Sequence, residues 1–101
     1  MVAKTARFAV HPDARKLCET AIREFVSALD DEPGTRAYVA LSEKGDPTRF
    51  LHVMVFDDEA ADERHRHAEH TKRFVEALYP HTLEGVAFND FTMIGKTKGD
   101  I

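Results

Sequence analysis

The sequence of 101 residues has room for one domain over residues 1–101, with an ordered core expected at about 5–95, and its 43% hydrophobic and 32% charged residues exclude a disordered or fibrous chain. Lys and Arg total 14 against 18 Asp and Glu, a net charge of −4 with no long block of either sign, so no nucleic acid is expected as partner. The lone Cys18 excludes an internal disulfide, and no signal peptide or membrane span is read near Met1–Val10, which makes a cytoplasmic protein the expectation.

Thr5–Val10 suits a short strand, and His11-Pro12-Asp13 turns into a helix whose apolar Ala14, Leu17, Cys18, Ala21, Ile22, Phe25 and Leu29 recur at helical spacing. The run Asp30-Asp31-Glu32-Pro33-Gly34 ends it. Thr35–Ser42 and Arg49–Phe56 read as strands joined through Gly45-Asp46-Pro47, which predicts a hairpin. A second helix is expected from Asp58 or Glu59 to about Leu78, stopped by Tyr79-Pro80, with Gly85 leading into a last strand from Val86 to Ile94 and a polar tail from Gly95 to Ile101. The order βαββαβ predicts an α+β, ferredoxin-like fold with an antiparallel sheet.

The strands are apolar on both sides. Phe50, His52, Met54 and Phe56 face one way and Leu51, Val53 and Val55 the other; Val86, Phe88 and Ile94 oppose Ala87, Phe91 and Met93. Two right-handed crossovers place both helices on one side, so the opposite side needs cover, and a second copy of the chain is the simplest.

Four of the six histidines lie between His65 and His81. At about 100° per residue, Ala61, Ala68, Thr71, Val75 and Leu78 define the apolar arc of this second helix. His67 then falls inside the arc beside Phe74, His65 sits at its edge within reach of a cavity, and His70 leans toward solvent. An imidazole in such a cavity suits general-base chemistry near neutral pH, which makes His65 and then His67 the catalytic candidates. Glu63, His67 and His70 have metal-ligand separations on one helix, but their charged surroundings argue against a rigid metal centre, and no metal is expected.

Phe56-Asp57-Asp58-Glu59-Ala60-Ala61 followed by His65, His70 and Phe74, together with Pro33-Gly34-Thr35 and Phe8 to Asp13, resembles the antibiotic biosynthesis monooxygenase family of dimeric α+β barrels. The resemblance implies two protomers packed sheet against sheet, a pocket between each sheet and its helices, and oxidation of phenolic, anthrone or quinol-like aromatics by molecular oxygen, often without flavin, metal or haem. Two departures stand out. Met54 occupies the place of a common glutamate, and the haem-degrading branch carries a tryptophan where His65 stands and a histidine near Val75, so haem degradation is not expected of a chain without tryptophan.

Three functions follow from these residues. The first is a cofactor-independent monooxygenase with His65 or His67 as base and a substrate pocket formed by His52, Met54, Phe56, Tyr38, Asn89 and Phe74. The second is a non-enzymatic dimeric domain that binds a small hydrophobic ligand or regulates, favoured by Met54. The third, an RNA-recognition domain of the same element order, is disfavoured because Arg49–Phe56 lacks a glycine and has Leu51 and Val53 where stacking aromatics belong.

Overall fold

A computed structural model describes residues 1–99; Asp100 and Ile101, the end of the expected polar tail, lie outside the described residues. The elements run β1 (Val2–Val10), α1 (Arg15–Ala28), β2 (Thr35–Glu43), β3 (Asp46–Phe56), α2 (Glu59–His67), α3 (Glu69–Leu78) and β4 (Thr82–Phe91), with short 3-10 turns before and after α1 and before β4. The strands form one antiparallel sheet in the order β2-β3-β1-β4, the ferredoxin-like arrangement expected. No helix among the described residues is long and apolar enough to cross a membrane.

Phe8, Val10 and Phe50 of the sheet close on Cys18 and Ile22 of α1 and on Leu78 of α3, all buried. A second cluster joins Ala6, Met54 and Phe56 to Ala61 of α2. The inner residues Phe50, His52, Met54 and Phe56 are buried as their alternation requires. On the outer face Val39, Leu41, Leu83 and Phe91 are exposed, beside half-buried Leu51 and Val53.

The expected helix over residues 58–78 is two helices. Ala68 is extended at φ −66°, ψ 148°, ending α2 and starting α3. The Thr71 hydroxyl donates to the His65 carbonyl at 2.6 Å, capturing an acceptor freed at the end of α2. The start of α2 is fixed by Asp58, whose carboxylate accepts from the Ala61 N–H at 2.9 Å.

Strand ends also differ from expectation. β1 begins at Val2 because its register against β3 continues to Val2 opposite Phe56. β3 begins at Asp46, whose carboxylate accepts from the Thr48 N–H and hydroxyl. β4 spans Thr82–Phe91 in place of Val86–Ile94 because Glu84 (φ 60°) and Gly85 (φ 79°) do not precede the strand but form an irregularity within it, where the register against β1 shifts.

Candidate functional site

Between the inner face of the sheet and α2 and α3 lies a cavity of about 430 Å³, within the range of small-molecule pockets. Its walls are mostly apolar: Ala6, Phe8 and Met54 from the sheet, Phe25 from α1, and Phe74 and Leu78 from α3. Phe25 and Phe74 stack with ring centroids 4.2 Å apart. Phe88 and Tyr79, both exposed, stand at its rim. Two imidazoles, His52 and His65, line this apolar space, and both are buried.

His65 projects from α2 one turn after Ala61, whose Cβ face packs on the sheet. Its Nδ1 lies 2.7 Å from Oε1 of Glu32, while Oε2 of Glu32 meets His70 Nε2 at 2.5 Å. The Thr35 hydroxyl donates a third bond to Glu32 Oε1 at 2.5 Å. Glu32 is thus a buried carboxylate, its side chain 5% exposed, with three partners. Burial pushes its carboxyl up, but the bonds to Thr35, His70 and His65, with the nearby charge of His65, outweigh that and hold it below its ordinary value. Phe56, fully buried, supports the His65 ring from 5.0 Å.

His52 Nδ1 lies 2.7 Å from the Tyr38 hydroxyl, and its Nε2 is buried with no hydrogen-bond partner. Burial lowers the imidazole to about 4, so the ring is neutral at pH 7. Burial, with a smaller push from Tyr79, raises the Tyr38 phenol above its ordinary value and keeps it protonated.

A further polar group of the wall is Asp62, buried on α2, which forms an ion pair with Lys4 of β1, also in the wall, at 2.6 Å. That contact is not aligned as a hydrogen bond, since Asp62 Oδ2 has no bonded partner. Arg66 stands 3.8 Å from the other oxygen. Lys4 therefore compensates a carboxylate that the apolar cavity would otherwise penalise.

The family model of the antibiotic biosynthesis monooxygenases matches residues 1–77. The chain belongs to the antibiotic biosynthesis monooxygenase family. Among solved structures it is similar to a crystal structure of an antibiotic biosynthesis monooxygenase, at 24% identity over 94% of this chain and 100% of that one, with TM-score 0.89. It is also similar to a Pseudomonas aeruginosa protein, at 25% identity over 93% and 94% of the two chains, TM-score 0.80. A Mycobacterium tuberculosis protein matches at 20% identity over 96% and 98%, TM-score 0.87. No curated protein sequence matches the chain.

In this family member the cavity gathers most of the residues singled out from sequence, but not all. His65, His52, Met54, Tyr38 and Phe74 line it. Phe56 lies behind His65 and does not reach the cavity wall. His67 is exposed on α2, contrary to its expected place in the apolar arc. The break at Ala68 is the reason: residues before and after it do not share one helical phase, so alignment with Phe74 places nothing on the α2 surface. Asn89 is likewise corrected. It pairs with Thr5 on the outer face of the sheet, while its neighbour Phe88 pairs with Ala6 on the inner face.

Glu63 and His67 are exposed and His70 is turned to Glu32, so the three do not face one another; among the described residues no three His, Cys, Asp or Glu side chains converge as metal ligands. Sequence reasoning missed Glu32, Phe25, Lys4 and Asp62. Lys4 had a signal, because it shares strand parity with Ala6, Phe8 and Val10. Glu32 had none: an acid in an acidic turn reads as solvated.

Proposed function

We propose that this protein is a cytoplasmic, cofactor-independent monooxygenase that oxidises a small electron-rich aromatic of anthrone, phenol or quinol type with molecular oxygen. One observation carries the reading: a largely apolar cavity holds an imidazole, His65, whose inner nitrogen is anchored on a buried carboxylate. Membership of the family supports the reaction class.

His65 is the general base. For an anthrone it removes one proton from the ring CH2, and the resulting carbanion reduces oxygen by one electron. Recombination of the two radicals gives a peroxide anion at that carbon, which takes the proton back from His65 to become the hydroperoxide. Loss of the second C–H proton with departure of hydroxide gives the ketone and water, so one oxygen atom enters the product and the other leaves as water. The protein supplies a base, apolar walls that exclude water, and groups that hold the anion. His52, Tyr38, Met54 and Phe74 form the substrate walls.

Purified protein incubated with a panel of anthrones, phenols and quinols in an oxygen electrode is expected to accelerate uptake for at least one member by about a hundredfold or more, the scale of general-base catalysis. His65→Ala should lose most of that rate and His67→Ala should retain it. Uptake identical with and without protein across the panel would refute the assignment. The competing reading, a domain that holds a small hydrophobic ligand without turnover, is favoured by Met54, a buried apolar wall residue where the family commonly has glutamate. It would be supported by a retained ligand and no oxygen uptake.

We also propose that the protein is a homodimer packed through the outer sheet face. Val39, Leu41, Leu83 and Phe91 are exposed there, and burial of about 800 Å² per partner would be an ordinary interface. Sedimentation equilibrium at micromolar concentration is expected to give roughly twice the 11.4 kDa chain mass, and Leu41→Lys to shift it toward the monomer. A stable monomeric mass in the unmodified protein would overturn the dimer.

A further inference from the structure

Imidazoles aside, the ionisable acids and bases that line the cavity and carry charge at neutral pH form one cluster: Lys4 of β1 with Asp62 and Arg66 of α2. Asp62 and Arg66 stand one turn apart, so they share a ridge of α2 beside the ridge that carries Ala61 and His65. Lys4 reaches the same ridge from the sheet, 2.6 Å from Asp62 Oδ2, and Arg66 lies 3.8 Å from Oδ1. Two cations thus share one carboxylate.

The three groups differ in what they offer to a ligand. The Asp62 side chain is 2% exposed and its Oδ2 is buried, so the carboxylate shows almost no surface. The side chain of Lys4 is 20% exposed and that of Arg66 is 56% exposed. Arg66 meets Asp62 at a distance too long for a hydrogen bond, which leaves its guanidinium fork open. Asp90 also lies 3.8 Å from Lys4, but it is 82% exposed and does not line the cavity, so water screens it. The surface that an incoming molecule meets here is cationic, although the chain as a whole carries −4.

We propose that Lys4 and Arg66 form an anion-recognising end of the cavity, and that the ligand is an aromatic acid. Its ring lies on the apolar wall, Arg66 holds its carboxylate through the planar fork, and the Lys4 ammonium stands alongside. Asp62 is a positioning residue that tethers Lys4 and draws Arg66 over the cavity. Because the ridge of Asp62 and Arg66 borders the ridge of His65, a ring anchored by its acid on the first brings another of its positions before the imidazole on the second. Arg66 therefore determines specificity. The inference rests on the reading of this cavity as the substrate site and adds an acidic substituent, which a base in an apolar pocket does not itself require.

2-Naphthoate and 2-naphthamide share a ring and nearly a shape, and they differ in charge, so comparing them tests the proposal without turnover. By titration calorimetry near pH 7 at low salt, the naphthoate is expected to bind the unmodified protein about tenfold more tightly than the amide. The preference should shrink as salt is added, because the cations are open to solvent. Arg66→Gln should weaken naphthoate binding severalfold and leave naphthamide binding within about twofold. Arg49→Gln removes the same charge from an exposed site on β3 and should leave the preference intact. Equal binding of the two probes, binding of neither, or an equal loss in the two variants would overturn the proposal. A preference for naphthoate with no oxygen uptake across the aromatic panel would sink the oxygenase reading alone. Oxygen uptake accompanied by equal binding of the two probes would sink this inference alone.

Discussion

Glu32→Ala is expected to cost about 3 kcal/mol of stability, the scale for breaking a buried ionic network by removing one partner. The carboxylate is bonded to Thr35, His65 and His70, and it ties the turn after α1 to both α2 and α3. Truncation leaves the buried His65 Nδ1 facing a void and removes the link that orients the ring. For a domain of this size such a loss lowers Tm by roughly 12–24 °C. Glu43→Ala is the control, because Glu43 meets Arg49 at 3.3 Å with both side chains 59% exposed, and it should change stability by less than about 0.5 kcal/mol. Thermal unfolding followed by circular dichroism checks both. A Tm for Glu32→Ala within about 3 °C of the unmodified protein would mean that the network does not hold the helices in place.

Gly34→Ala is expected to be equally damaging for a different reason. Gly34 has φ +83°, a conformation that costs a residue with a Cβ about 1–2 kcal/mol. A Cβ there would also lie 2.5 Å from the Ala61 Cβ and 3.1 Å from the Arg64 guanidinium, so α2 would have to move. Overpacking of this kind costs about 1–3 kcal/mol, for a total of roughly 2–5 kcal/mol. The Gly34 carbonyl also accepts from the Asp57 N–H at 2.8 Å, so the same displacement strains the link between β3 and α2. Because α2 carries His65, activity should fall along with stability. Gly45→Ala, with nothing within 4 Å of the added Cβ, should be neutral in both assays. Unfolding curves for the two variants that coincide would contradict the close approach of Gly34 to α2.

Much of the fold was legible because the relevant signals are local. Phe50, His52, Met54 and Phe56 alternate with smaller outer residues, and strand geometry alone puts them on one face. Ala61 and His65 are separated by one helical turn, so His65 near the cavity followed from spacing. The break at Ala68 was not legible, since alanine favours helix and the interruption depends on the Thr71 hydroxyl finding the His65 carbonyl. That missed break carried His67 onto the wrong face. Glu32 was hidden for a similar reason: its burial comes from the return of α2 and α3 over the turn, a contact between residues 33 and 38 positions apart. Asn89 was decided by a parity already visible, because it alternates with Phe88 and so shares the outer face with Ala87 and Phe91.

The central claim, that the cavity beneath α2 and α3 directs oxygen into an aromatic deprotonated at His65, is tested most directly by single-turnover oxidation of an anthrone under oxygen-18 gas. One labelled atom is expected in the quinone product and the other in water, at a rate about a hundredfold above the protein-free reaction and lost in His65→Ala. Product formed at the same rate with and without the protein, or bearing oxygen drawn from the solvent at the moment of reaction, would contradict the account.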